Sequence, residues 1–214
     1  MTEEEARAWL DREFSVSRET WERLDRYVAM LLAEMEHQNL IAESTRDHVW
    51  ARHIVDSAQL LKLAPDAEAG KADRWADLGA GAGLPGMVIA MLSGYRVTMI
   101  EMRRKRVEFL QRVIDVLGLD RATLFGGKVE RAAAAIETPV SIISARAYAP
   151  MDRLIASALP LAGKRTVWIL PKGQNYQNEL DIARTLWHSD ARVEPSLTAA
   201  ESAILILRNV RKKG

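Results

Sequence analysis

The residues with the clearest chemistry lie in one run, Asp77-Leu78-Gly79-Ala80-Gly81-Ala82-Gly83-Leu84-Pro85-Gly86. Glycines let a backbone turn sharply and let a ligand approach the peptide units closely. Gly81, Gly83 and Gly86 also fit the G-x-G-x-x-G spacing of dinucleotide loops, so two nucleoside cofactors compete, a nicotinamide dinucleotide and S-adenosylmethionine. Asp77 helps to separate them. A pyrophosphate at the helix N-terminus would be repelled by an adjacent carboxylate, whereas an ammonium and a sulfonium are favoured there. Glu101, twenty-two residues after Gly79, ends the next expected strand and can accept ribose hydroxyls in either cofactor. The balance favours S-adenosylmethionine.

The acceptor is approached through what is missing. The chain has no cysteine, which removes the usual covalent nucleophile for methylating pyrimidine C5, thiolate metal sites and disulfides. His37, His48, His53 and His188 show no metal-ligand spacing, so no metal is expected. After the fourth expected strand, Ser144-Ala145-Arg146-Ala147-Tyr148-Ala149-Pro150 is not the Asn/Asp-Pro-Pro-aromatic element that serves exocyclic amines. Guanine N7 has an in-plane lone pair and no proton. Its methylation needs alignment and desolvation rather than a base, which this composition permits.

These residues must be positioned by an α/β scaffold. Apolar side chains at Trp21, Leu24, Val28, Leu31, Leu32 and Met35 predict a helix over 18–38 with Ser17 as N-cap. A second is expected from about Asp47 to Leu63, broken by Pro65 and the stretch at 66–70. Beyond Lys71 strands alternate with helices. The expected strands are Arg74–Leu78, Arg96–Ile100, Ala122–Phe125, Val140–Ser144, Thr166–Leu170, Arg192–Pro195 and Ala203–Arg208. Helical patterns cover Pro85–Ser93, Arg103–Leu117, Pro150–Leu161 and Asn178–Trp187. The alternation predicts a seven-stranded, mostly parallel sheet with ligands at the strands' C-terminal ends and an antiparallel hairpin closing one edge. Residues 1–72 are read as a helical N-terminal cap and 73–214 as the cofactor-binding domain, together one compact unit.

With 214 residues, 48% hydrophobic and 28% charged, the chain is long enough to bury a core and is neither disordered nor fibrous. It has no apolar run of 18 residues, and its first residues are acidic where a signal peptide would be basic, so a cytoplasmic protein that meets no membrane is expected. The net charge of +1 conceals an asymmetry. Residues 1–72 carry nine Lys/Arg against fifteen Asp/Glu, and residues 73–214 carry twenty-one against fourteen. A basic body is compatible with a polyanionic partner.

Several segments together resemble the RsmG (glucose-inhibited division protein B) family of 16S ribosomal RNA guanine-N7 methyltransferases. They are Asn39-Leu40-Ile41-Ala42, Arg52-His53-Ile54-Val55-Asp56-Ser57, the Asp77–Gly86 loop, Arg104-Lys105-Arg106 with Phe109-Leu110, Ser144-Ala145-Arg146-Ala147 and Leu170-Pro171-Lys172-Gly173. The resemblance spans roughly residues 20–210. It implies a Rossmann-like methyltransferase and S-adenosylmethionine contacts from Gly79, Leu84, Val129, Glu130 and Arg146. It also implies 16S ribosomal RNA, or the small subunit, as partner. Lys128 stands where relatives often carry arginine, keeping the charge without the bidentate fork.

Single residues then acquire candidate roles. Arg146, at a strand's C-terminal end, can hold guanine O6, a phosphate or the cofactor carboxylate. His53 and Asp56 share a helix face with Leu60, either as a local pair packing the cap or as part of the acceptor pocket with Arg146. Lys172, Lys128, Arg104 and Lys105 are candidate RNA contacts, the last two beginning a helix where cations oppose its dipole. Trp21, Trp50 and Trp187 are read as core in helical patterns. The tail from Arg208 to Lys213 is read as a mobile electrostatic contact, and a monomer is expected. An oxidoreductase using a nicotinamide cofactor and a non-catalytic ribosome-assembly module are the competing functions.

Overall fold

A computed structural model describes residues 1–65 and 73–214. The expected domain boundary at 72/73 and the helix-breaking stretch at 66–70 lie outside the described residues. The chain opens with α1 (Glu3–Phe14), which the sequence reading did not mark because its apolar stripe is thin, with only Ala6, Trp9 and Leu10 buried. A capping box of Thr2 and Glu5 starts it, satisfying two of the free N-terminal N–H groups. Helix α2 (Arg18–Glu34) begins as expected at Ser17, whose Oγ accepts from the Thr20 amide, but ends four residues early.

The helix expected from Asp47 to Leu63 is instead a mosaic. A 3-10 turn (Glu43–His48) is followed by a π turn (Trp50–Ile54), α3 (Val55–Ala58) and a second 3-10 turn (Gln59–Leu63). The amides of Trp50 and Ala51 both donate to the Glu3 carboxylate at 3.0 Å, so α1 anchors the start of the wide turn. Such turns re-aim the side chains they carry, and this one carries His53.

Strand and helix then alternate: β1 (Arg74–Leu78), α4 (Gly86–Leu92), β2 (Arg96–Glu101), α5 (Arg104–Leu117), β3 (Ala122–Gly126), α6 (Val129–Ala132), β4 (Val140–Ala145) and α7 (Met151–Ala158). They continue as β5 (Ala162–Lys172), α8 (Tyr176–Leu186), β6 (Trp187–Pro195) and β7 (Ala203–Lys212). The sheet order is β3-β2-β1-β4-β5-β7-β6. The strands β1 to β5 run parallel, and β7 lies antiparallel between β5 and β6. Strand order reverses between β1 and β4, the place where such Rossmann-like sheets open a crevice. There Leu78 pairs with Ala145, which levels the glycine loop with Arg146.

Three expectations are corrected at the closing edge. Trp187 is the first residue of β6, not the last turn of α8, although it is buried as expected. The tail is paired strand and not a free end: β7 continues to Lys212, with Trp187 opposite Lys212 and His188 opposite Arg211. Strand β6 starts five residues before Arg192, because its half-exposed residues gave no clear alternation.

The two faces of the sheet bury different things. On one, Trp75, Met87, Val97 and Phe109 join Trp9, Leu24, Tyr27, Ile54 and Leu60 of the cap in a continuous apolar cluster. On the other, Ala76, Leu78, Ile143 and Trp168 pack with Leu154 and Leu180 of α7 and α8. The alternation of Trp75 against Ala76 and Leu78 is the period of two that a doubly covered sheet requires. No helix among the described residues is long and apolar enough to cross a membrane.

Candidate functional site

The loop from β1 to α4 is built on left-handed glycines. Gly79, Gly81 and Gly83 have φ of +64°, +59° and +96°, a region that side chains with a Cβ enter at a cost. A Cβ at Gly79 would stand 2.6 Å from the Tyr148 ring, and one at Gly83 would stand 2.6 Å from Met87. Gly81 has more room, with nothing nearer than an Arg106 nitrogen at 3.6 Å. The amides of Gly79 and Ala80 donate to the Ile100 carbonyl at 2.8 and 3.1 Å, tying the loop to β2. From the cap, the buried Tyr27 hydroxyl donates to the Ala82 carbonyl at 2.9 Å. Burial pushes that phenol well above its ordinary pKa, so it stays a donor.

Asp77 is fully buried, and both its carboxylate oxygens are engaged. Oδ1 accepts from Ser144 Oγ at 2.9 Å and Oδ2 from the Gly86 amide at 3.0 Å. Burial drives its pKa up to about 7 against the opposing pull of those hydrogen bonds. The expectation of a carboxylate facing a cationic ligand thus meets one that braces β1, β4 and the start of α4. Glu101 is also buried, at 4% exposure. Its Oε1 accepts from the amides of Met102 and Arg103 at 2.8 Å, and its Oε2 from Gly81 at 2.9 Å. Oε2 receives one N–H and retains acceptor capacity. An acidic strand end beside glycines that leave no side chain in the way is the chemistry a nucleoside requires, so the residues fit S-adenosylmethionine. Val129 is buried and Glu130 exposed at the start of α6, a short helix the sequence reading did not mark.

Beyond β4 the structure brings Arg146, His53 and Asp56 to one cavity of about 590 Å³, also lined by Thr45, Tyr148, Lys172 and Thr198. His53 and Asp56 are not bonded to each other. Arg146 Nη1 lies 3.1 Å from His53 Nδ1 and 3.3 Å from Asp56 Oδ2. An arginine only donates, so Nδ1 is the acceptor and the ring proton sits on Nε2. Nε2 is 2.7 Å from Thr45 Oγ1, which in turn donates to the Ala42 carbonyl at 2.8 Å. Burial, then the charges of Arg146 and Arg52, push His53 down to about 3. It is a neutral imidazole at physiological pH. Arg146 therefore has one nitrogen committed, while Nε and Nη2 have no protein partner among the described residues. The following residue, Ala147, adopts φ of +52°, a strained turn of the kind found at binding sites.

The candidate RNA contacts divide. Lys128, Arg104 and Lys105 are exposed, Arg104 in a pair with Glu108 at 2.7 Å. Lys172 is not a free cation: its side chain is 9% exposed and donates to Glu179 at 2.7 Å and to the Ala149 carbonyl at 3.2 Å. Arg106 turns inward, 3.8 Å from Glu101. Sequence reasoning missed Thr45 and Thr198 in the cavity wall, the buried Gln59 that bonds Asp56, and Tyr27 behind the loop. They are ordinary polar residues far apart in the chain, and only the fold gives them a common address.

The chain is similar to known proteins over nearly its whole length. The profile of the family described as rRNA small subunit methyltransferase G (GidB) matches residues 20–206. The ribosomal RNA small subunit methyltransferase G of Zymomonas mobilis is 48% identical over 218 residues, covering 100% of this chain and 96% of that protein. The protein of the same name from Rhizorhabdus wittichii is 47% identical over 216 residues, with the same coverage. Among solved structures, the O-methyltransferase from Bacillus cereus in complex with SAH aligns with a TM-score of 0.60 at 15% identity, over 94% of this chain and 96% of that one. A mutant of MtNAS in complex with S-adenosylmethionine aligns with a TM-score of 0.59 at 20% identity, over 86% and 75%. These distant structures share the fold, and the sequence relatives fix the kinship: the chain belongs to the rRNA small subunit methyltransferase G family.

Proposed function

We propose that this protein transfers a methyl group from S-adenosylmethionine to N7 of one guanine in the RNA of the small ribosomal subunit. One observation carries the reading: the pairing of Leu78 with Ala145 sets the glycine loop level with Arg146, which lines a polar cavity together with His53 and Asp56. S-adenosylmethionine, when bound, supplies an electrophilic methyl group on a sulfonium centre. Gly79, Gly81 and Leu84 would frame its amino-acid end, Glu101 its ribose, and Val129 and Glu130 its base, with Asp77 holding the loop in shape. Residues 1–72 serve as the cap that closes the cavity and residues 73–214 as the cofactor domain.

On the acceptor side, Arg146 presents its free Nε and Nη2 to guanine O6, leaving the N7 lone pair unobstructed. His53 serves as a neutral acceptor that aims Arg146, not as a base, since N7 has no proton to lose. Rate then comes from alignment and desolvation. Lys128, Arg104 and Lys105 supply phosphate contacts around the rim, and Lys172 contributes by shaping the wall at Ala149.

The test is transfer of labelled methyl from S-adenosylmethionine to small subunits that lack the modification, followed by reduction and aniline cleavage of the RNA. A single new break marks one N7-methylguanine. Label without a break places the methyl on another atom. Cofactor binding without label supports an assembly module, and preferential binding of a nicotinamide cofactor supports an oxidoreductase.

A further inference from the structure

The cavity around Arg146 has a wall that neither the cap nor the segment after β4 provides. It is the turn between β6 and β7, residues 196–202, closed at its base by the Ser196 amide donating to the Ser202 carbonyl at 3.1 Å and fastened also to the cap. Arg52 Nη1 donates to the Thr198 carbonyl at 2.7 Å, and the Leu197 amide donates to Gln59 Oε1 at 2.9 Å. Gln59 is buried, at 3% exposure, and its amide has both ends in use. Nε2 donates to Asp56 Oδ1 at 2.9 Å.

Asp56 is where this fastening meets the arginine. Its Oδ1 accepts from Thr198 Oγ1 at 2.7 Å and from Gln59, while its Oδ2 faces Arg146 at 3.3 Å. A carboxylate with both oxygens free can rotate and offer either to a cation. With two donors holding Oδ1, the orientation is fixed and Oδ2 must point at Arg146. Removing one donor frees a half-buried carboxylate to turn, and the long guanidinium side chain loses one of the two acceptors on Nη1. Misplacement of a contact group by about 1 Å can lower a rate by about a hundredfold.

We propose that Thr198 and Gln59 are positioning residues, which act through Asp56 to fix the guanidinium of Arg146 and thereby the acceptor pocket. This deepens the methyltransferase reading and rests on it for its kinetic consequence, but the positioning itself is a property of the free protein. The β6–β7 turn thus reaches the acceptor without being part of the cofactor domain's crevice.

Two measurements on the full chain test it. In the first, Thr198→Val lowers kcat for methylation of unmodified small subunits by about tenfold, with the dissociation constant of S-adenosylmethionine unchanged within twofold. Thr198→Ser restores kcat, and Gln59→Leu repeats the loss. In the second, nitrogen-15 NMR of the Arg146 guanidinium shows resolved Nη signals in the wild type, because Nη1 is held. They coalesce in Thr198→Val and return in Thr198→Ser. A packing role alone would lower the melting temperature of Thr198→Val while leaving kcat of the folded fraction and the guanidinium signals as in the wild type. That result overturns the proposal. If the wild type transfers no methyl group, the functional reading fails, and the NMR comparison still decides the positioning.

Discussion

The two halves of the site are held by different means. The cofactor side is mostly backbone, with left-handed glycines, amides donating to Ile100 and Glu101, and one contiguous run of ten residues from Asp77 to Gly86. The acceptor side is mostly side chain. It draws Thr45, His53 and Asp56 from the cap, Arg146 from just after β4, Lys172 from β5 and Thr198 from the β6–β7 turn. A backbone cradle tolerates few substitutions but depends on few partners, whereas a side-chain network tolerates each substitution sterically and loses its aim with any of them. Substitutions on the two sides are therefore expected to separate cofactor affinity from turnover.

The largest effect is expected at Arg146. Arg146→Ala lowers the methylation rate by about 10²–10³, the scale for removing one preorganised donor from an active site, and leaves cofactor affinity near the wild-type value. Its loss also removes one of the two charges that depress His53, so the imidazole pKa rises in the variant. Single-turnover kinetics and NMR titration of the ring check both outcomes. A rate within threefold of the wild type removes Arg146 from the acceptor site. Gly81→Val is the counterpart on the other side. Space exists for the added carbons at first contact, but a β-branched residue at φ of +59° is strained by about 1–2 kcal/mol. We expect a folded protein whose affinity for S-adenosylmethionine, measured by calorimetry, falls at least tenfold. Retained affinity would show that the loop does not seat the cofactor.

Tyr27→Phe probes the join between the halves, because a cap residue holds a cofactor-loop carbonyl. Deleting the hydroxyl leaves the Ala82 carbonyl without that partner, at about 1–3 kcal/mol. A melting temperature lowered by several degrees, with cofactor affinity weakened a few-fold, is the expected result. An unchanged affinity would mean that the loop keeps its shape without the cap.

The same contrast explains what was legible beforehand. Strand β1 was read to the residue and α4 within one at either end, because glycine, proline and a buried apolar run are local signals. The sequence singles out Arg146, His53 and Asp56 one by one, but it does not carry their geometry. The spacing of His53 and Asp56 leaves open a local pair or a shared place in the acceptor pocket, and in the structure each bonds Arg146 from one side. The spacing also assumes a regular helix where the backbone widens into a π turn at Trp50–Ile54, whose first amides bond Glu3 of α1 in a contact that no local pattern carries. Thr198 and Gln59 lay beyond reach for the same reason, since a threonine in a polar turn has no signature until the fold brings an aspartate to it.

The smallest net effect is expected in the wild type, where the two halves should balance each other. His53 is held at about 3 and Asp77 at about 7, both chiefly by burial, which disfavours either charge. Between about pH 4 and 6.5, unfolding protonates His53, so its contribution to stability rises with pH by about 1.4 kcal/mol per unit. Over the same window unfolding ionises Asp77, so its contribution falls by about the same slope. The two cancel, and the wild-type stability should show little pH dependence from this pair in that range. His53→Gln leaves Asp77 unopposed, and stability measured by urea denaturation should decline from pH 4 to 6.5. Asp77→Asn leaves His53 unopposed, and stability should climb over the same range. Parallel slopes in the two variants would mean that burial does not set both groups, and that the likeness between a braced loop and an aimed arginine ends at their shared exclusion of water.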